Sequence, residues 1–381
     1  MQLPEPSADA LSASQALASL IRDEIRANDH WISFARYMEL ALYAPGMGYY
    51  AAGSRKLGEG GDFITAPEMT PLFAQCVARQ AAQLALPHVL ELGAGSGALA
   101  VGMLLELERL GALPHEYAIL EISADLRERQ RERIARLPVH LAARVRWLDA
   151  LPDPFEGLIL ANEVLDATPA HLLTMREHEV LEGFVRCAPG APGFVRSDLL
   201  ASPALADAAA RLALPPDGYD TEINLNARAL IRTLARTLKR GVMLFIDYGF
   251  PARELYHPQR QMGTLMCHYR HHAHSDPFAL PGLQDITTHV DFSAVAAAAL
   301  EGGAQVMGYA NQAQFLINCG ITGLLSQVSA HDTVRYAPLA AAAQKLLSPA
   351  EMGELFKVIA LGKGIDTPLL GFTRGDKSHT L

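Results

Sequence analysis

Apolar positions recur at helical spacing over residues 11 to 28 and 31 to 42. Ser33 is placed to cap the second helix, ahead of Phe34, Tyr37, Met38 and Leu42. A segment rich in glycine and proline follows, up to Pro67, before a helix at about Pro71 to Leu84. From His88 the pattern alternates: strand 88 to 92, helix 97 to 110, strand 117 to 121, helix 123 to 136, then strands at 144 to 147 and 157 to 161. Short apolar strands separated by helical periods predict an α/β protein with a parallel, doubly wound sheet. The alternation breaks at His171 to Phe194, where short strand-like runs between glycines predict inserted hairpins, and resumes with helix 224 to 239 and strand Val242 to Asp247. A second interruption covers Tyr248 to Val290. Helix 291 to 301, strand 304 to 309, helical segments to about 362 and a last strand near 369 to 373 complete the pattern. The alanine-rich stretches at 204 to 213 and 338 to 346 read as further helices.

Composition narrows the class. Half of the 381 residues are apolar and 19% are charged, the balance of a folded protein rather than a disordered one. A net charge of -9 gives no general footprint for nucleic acid. Cys76, Cys187, Cys267 and Cys319 are widely spaced, without metal-ligand pairs, and read as free thiols. The first residues show no cationic start ahead of an apolar core, and no apolar run reaches membrane-spanning length, so the expectation is a cytoplasmic protein.

The sharpest local signal is Gly93-Ala94-Gly95-Ser96-Gly97, which joins an apolar strand to an apolar helix. Glycines there allow a tight turn and a close backbone approach to a ligand. Gly93, Gly95 and Ala98 satisfy the dinucleotide fingerprint, while Glu91 with Gly93, Gly95 and Gly97 fits the E/D-x-G-x-G-x-G pattern of S-adenosylmethionine (SAM) methyltransferases. Glu121, 28 residues after Gly93, is placed to accept ribose hydroxyls from either cofactor. Asp149 and Ala150 follow the third strand, where an acid beside a small residue suits an adenine amino group, and Asn162-Glu163 follow the fourth. Four successive strand ends thus carry candidate binding groups at the carboxyl edge, where open α/β sheets bind ligands. The turn holds no lysine or arginine and no Walker-type sequence is present, which disfavours a phosphate site.

At this point the chain resembles the MidA family of SAM-dependent methyltransferases, whose mitochondrial members include the arginine methyltransferase that assists assembly of respiratory complex I. The resemblance spans nearly the whole chain. It rests on Tyr43-Ala-Pro-Gly-Met-Gly-Tyr-Tyr50, Gly61-Asp-Phe-Ile-Thr-Ala-Pro-Glu68, Leu90-Glu-Leu-Gly-Ala-Gly-Ser-Gly97, Ala161-Asn-Glu-Val-Leu-Asp-Ala167 and Gly282-Leu-Gln-Asp-Ile-Thr-Thr-His-Val-Asp-Phe292. It implies a class I methyltransferase fold, Rossmann-like, with a seven-stranded sheet whose last hairpin is reversed. That hairpin falls to strands 304 to 309 and 369 to 373. An N-terminal helical segment with a cofactor-covering loop, residues 1 to 86, would precede a methyltransferase domain over 87 to 381, with insertions at about 165 to 222, 248 to 290 and 310 to 362. SAM is the implied cofactor and a protein arginine, in one reading on a respiratory-complex subunit, the implied acceptor. A SAM-binding assembly factor without turnover and an NAD-dependent oxidoreductase are the alternatives.

Methylating a guanidinium calls for carboxylates that hold its planar donor fork and accept a proton. Glu163 and Asp166 meet that need if Asn162 to Ala167 opens a helix. Asp285 and His289 offer a further carboxylate and a proton acceptor, while Asp291 reads as the cap of the helix that follows. Thr65 and Glu68 are expected to close over the cofactor. The histidines from His268 to His274 lack companion ligands at metal spacing and read as part of a lid or substrate loop, with no metal expected.

Overall fold

The computed structural model describes residues 3–52 and 65–381. Residues 61–64 of the Gly61 motif lie outside them. Among the described residues a central sheet of eight strands has seven on its main path, β1 (His88–Leu92), β2 (Glu116–Leu120), β3 (Val145–Leu148), β4 (Phe155–Asn162), β5 (Leu238–Phe250), β6 (Gln305–Asn311) and β7 (Phe356–Lys363), while the short strand Val290–Asp291 pairs with the end of β5 alone. Their order is β6-β7-β5-β4-β1-β2-β3. Pairing is parallel from β3 to β5, and β7 runs antiparallel to both of its neighbours.

Strands covered on both faces are apolar throughout, and β4 shows why. Leu158 and Leu160 join a core with Phe73 and Val77 of helix Pro71–Leu84 and Leu99 and Met103 of helix Ala98–Arg109. Ile159 and Ala161, on the opposite face, join Ile231 and Leu234 of helix Leu225–Thr237 and Val295 of helix Phe292–Glu301. Period-two alternation along one strand therefore feeds two separate cores.

Two smaller antiparallel sheets carry the interruptions. One joins Ile32–Ser33, His171–Arg176, Glu179–Cys187, Phe194–Leu200 and Tyr219–Ile223. The other joins Met266–Tyr269, His272–His274 and Asp285–Thr287. Ser33 and Asp291 cap their helices as expected, accepting from Arg36 N at 3.2 Å and Ala294 N at 2.9 Å. All four cysteines are free thiols. Among the described residues no helix is long and apolar enough to cross a membrane.

Two expectations are corrected. The reversed hairpin pairs β6 with β7, Phe356–Lys363, a stretch expected to be helical. Leu370–Phe372 is a single 3₁₀ turn, and a Cβ at Gly371 would sit 2.2 Å from the Phe315 ring, so that backbone packs flat on helix Gln312–Asn318. Asn162 to Ala167 forms a turn rather than a helix, because its N–H groups bond to a carboxylate on β5 instead of to one another.

Candidate active site

A cavity of about 670 Å³ opens at the carboxyl ends of the central strands. Its floor is the glycine turn. Gly93, Gly95 and Gly97 have φ of +59°, +54° and +82°, a region that L side chains rarely adopt. Gly93 N–H donates to Leu120 O at 3.0 Å, tying the turn to β2. Glu91 lies beneath the turn, accepting from the Tyr117 hydroxyl at 2.6 Å, and burial pushes its carboxyl up to about 7. At the end of β2, Glu121 accepts from Ser123 N at 3.0 Å and Gln130 Nε2 at 3.1 Å. Gln130 also donates to Gly95 O at 2.9 Å and accepts from Trp147 Nε1 at 2.9 Å. It therefore holds turn, acid and third strand together. A buried glutamine in an otherwise charged helix gives little sequence signal, and Gln130 was not foreseen.

Three expected cofactor residues lie outside the cavity wall. Gly97 faces Gln130, whose Cγ would lie 3.4 Å from an added Cβ, so it serves packing between helices. Asp149 and Ala150 are exposed; the Asp149 side chain is 89% accessible and pairs with Arg127 at 2.7 Å. Leu151 supplies the wall there instead. Thr65 does line the cavity. Glu68 holds the short helix Ala66–Met69 onto the turn, since Arg133 bonds to Glu68 Oε1 at 3.0 Å and Ser96 Oγ at 2.8 Å, and Ser96 donates to Glu68.

The other end of the cavity is acidic and aromatic. Glu163 sits at φ +53°, strain of the kind that concentrates at functional sites. Its N–H donates to Ile246 O at 2.9 Å. The N–H groups of Val164, Leu165 and Asp166 converge on Asp247 Oδ2 at 3.2, 2.9 and 3.3 Å, fixing the strained turn. Asp247 was not nominated from sequence, although an acid at the end of the fifth strand obeys the same rule as those on β2 and β4. Burial, with Asp166 and Asp285 nearby, pushes the Glu163 carboxyl up to about 8. Asp166 accepts from the Tyr248 hydroxyl, and burial raises it to about 6. Asp285 accepts the Tyr50 hydroxyl on both oxygens, at 2.9 and 3.0 Å. Tyr43 and Tyr50 stack with centroids 5.6 Å apart.

His289 lines the same cavity against the Tyr248 and Phe250 rings. Burial, aided by the charges of Arg260 and Lys357, lowers its imidazole to about 4, so at neutral pH it is an uncharged ring and a poor proton acceptor. Glu163 is better matched to that task. Of the run His268 to His274, a hairpin turning at Arg270 and His271, only His268 reaches the cavity.

The wall suits SAM better than a dinucleotide. Five carboxylates face the cavity, from Glu91, Glu121, Glu163, Asp166 and Asp285, and no lysine or arginine among the described residues does, so those residues offer a pyrophosphate no Lys or Arg partner. A sulfonium and an ammonium are favoured there. Asn162 Oδ1 and Asp166 Oδ1 are buried with no hydrogen-bond partner among the described residues, acceptors left for a ligand. Gly93 and Gly95 would pass beneath the cofactor, Asn162 would meet its amino-acid part and Glu121 its ribose.

Comparison with known proteins agrees. A model of an S-adenosyl-L-methionine-dependent methyltransferase family matches residues 72–310. The mouse mitochondrial protein arginine methyltransferase NDUFAF7 is 30% identical over 87% of this chain and 80% of its own length. The zebrafish protein of that name is 29% identical over 87% and 83%. A Burkholderia thailandensis protein crystallised with S-adenosyl-homocysteine is 51% identical, with both chains fully covered and a TM-score of 0.96. The oxidoreductase alternative is thereby set aside, and the chain belongs to the MidA family of SAM-dependent methyltransferases.

Proposed function

We propose that this enzyme methylates the guanidinium of an arginine on a protein substrate. The observation that carries this reading is the group of carboxylates at the acceptor end, Glu163, Asp166 and Asp285, set among Tyr43, Tyr50 and Tyr248, with no lysine or arginine among the described residues of the wall. Such an arrangement favours a planar cation, whose fork bonds to carboxylates and whose face packs on aromatic rings. The protein arginine methyltransferases among the relatives support the same acceptor.

Bound SAM supplies an electrophilic methyl group. The chain's task is to hold the acceptor nitrogen in line and exclude water. Asp166 and Asp285, each fixed by a tyrosine hydroxyl, hold the guanidinium fork. Glu163 accepts the proton that leaves the acceptor nitrogen. Its high proton affinity in the empty site falls once a cation lies beside it, so the carboxylate is ionised when needed.

The test is transfer of radiolabelled methyl from SAM into a lysate lacking the enzyme. Glu163→Gln should lower the rate about 100-fold or more, while titration calorimetry shows unchanged S-adenosyl-homocysteine affinity. Equal labelling by variant and wild type would contradict the assignment, and binding without labelling by wild type would favour an assembly factor.

A further inference from the structure

The acceptor end of the cavity is built from segments far apart in sequence, and one residue outside the cavity holds one of them directly and a second through it. Glu222 lies on Tyr219–Ile223, a strand of the inserted five-stranded sheet, and is buried. Its Oε1 accepts from Thr264 N at 3.0 Å and Leu265 N at 3.1 Å. Its Oε2 accepts from Thr264 N and Thr264 Oγ1, each at 2.9 Å. Gly263 makes this approach feasible: its φ is +67°, and a Cβ there would lie 2.1 Å from Glu222 Oε1. The Thr264 hydroxyl, oriented by donating to Glu222, accepts from His289 N at 3.0 Å.

Thr264, Met266, His268 and His289 all line the cavity, whereas Glu222 does not. The strand that begins at Met266 pairs with Asp285–Thr287, setting His268 opposite Asp285 and Met266 opposite Thr287. Glu222 makes no ion pair within 4 Å among the described residues. Burying a carboxylate without a countercharge is costly unless its lone pairs are well bonded. Here all of the bonds given to the carboxylate go to two consecutive residues of the cavity loop. A carboxylate serving only the inserted sheet would bond within that sheet.

We propose that Glu222 is a positioning residue for the acceptor wall, acting through Thr264 to fix the loop 263–266 and the backbone of His289. This inference rests on the acceptor reading above. It separates the two ends of the cavity, because no hydrogen bond of Glu222 leads to the glycine turn, Glu121 or Asn162. Loss of Glu222 therefore weakens acceptor binding and leaves the cofactor in place. Glutamine is a partial substitute: its oxygen still accepts an N–H, but its amide group donates and cannot serve the second N–H.

The experiment measures methyl labelling of a dilution series of enzyme-free lysate, together with S-adenosyl-homocysteine affinity by calorimetry. Glu222→Ala should raise the lysate concentration for half-maximal labelling about ten-fold or more, with Glu222→Gln between it and wild type, and all affinities within about two-fold of wild type. Gly263→Ala, which blocks the same approach from the other side, should reproduce the effect. In a Thr264→Val background, Glu222→Ala should add little, since both act on one link. Wild-type half-maximal concentrations in the variants would overturn the proposal. So would a parallel loss of cofactor affinity, or failure of Glu222→Gln and Gly263→Ala alike to fold by circular dichroism, since either makes the role generally structural. Absence of labelling by wild type would instead remove the acceptor reading, and this role with it.

Discussion

The cofactor end and the acceptor end of one cavity are assembled differently. Gly93, Gly95 and Glu121 belong to consecutive strand-to-helix connections, tied by short-range bonds such as Gly93 N to Leu120 O. Tyr50, Glu163, Thr264, Asp285 and His289 arrive from the turns after helix Phe34–Tyr43, the end of β4 and the long interruption after β5. Their links span great sequence distances: Tyr50 to Asp285, Asp166 to Tyr248, Glu222 to Thr264. The sheet thus supplies a general place to put a nucleoside, and the interruptions supply the chemistry of the group it acts on.

This division can be broken at either end. The largest effect is expected at the floor. Gly95→Val puts a branched side chain at φ +54°, where it is strained and fills the turn, and should weaken S-adenosyl-homocysteine about 100-fold or more by calorimetry. Retained affinity would remove the turn from the cofactor site.

An intermediate effect is expected from pH, and only on the acceptor end. The carboxyls of Glu163 and Asp166, raised to about 8 and about 6, must be ionised to hold a cation. The acceptor KM should therefore fall about ten-fold between pH 6 and pH 8, with cofactor affinity changing much less. The same shift bears on stability. A carboxyl raised from 4.5 to about 8 holds its proton longer in the folded chain than in the unfolded one, so the folded state loses stability as pH rises from about 4.5 to 8. Glu163→Gln, for all its lost activity, should melt higher than wild type at pH 8, with little difference at pH 4. A variant that melts lower at pH 8 would show that the Glu163 charge is already compensated.

The cofactor end was legible in sequence because its signals are local. A strand, a run of glycines, and acids at successive strand ends can be read from spacing, and Gly93, Gly95, Glu121 and Asn162 all reach the cavity. Gly97 and Asp149 show the limit of that reasoning: spacing places a residue at the edge without saying which way it turns. The acceptor end was legible only as motifs. Glu163, Asp166, Asp285 and His289 do meet in space, yet the turn that presents Glu163 depends on Asp247, about eighty residues on, and no local pattern announces that bond. β7 was misread for a related reason. Its run of apolar residues follows the helix Met352–Leu355 directly, with Pro349 and Gly353 lying ahead of or within that helix rather than at the boundary, and only pairing with β5 and β6 makes it a strand.

The smallest expected effect sharpens the map of the cofactor end. Asp149→Ala removes an exposed carboxylate paired with Arg127 and should change S-adenosyl-homocysteine affinity less than about two-fold, as surface ion pairs contribute little. A ten-fold loss would return Asp149 to the site.

The central claim is that the acceptor end selects a guanidinium. Tandem mass spectrometry of proteins labelled by wild-type enzyme with isotopic methyl-SAM tests it most directly. The account predicts methyl groups on arginine nitrogens, absent when Glu163→Gln replaces the enzyme; methyl groups on lysine, on hydroxyls or on small molecules alone would contradict it.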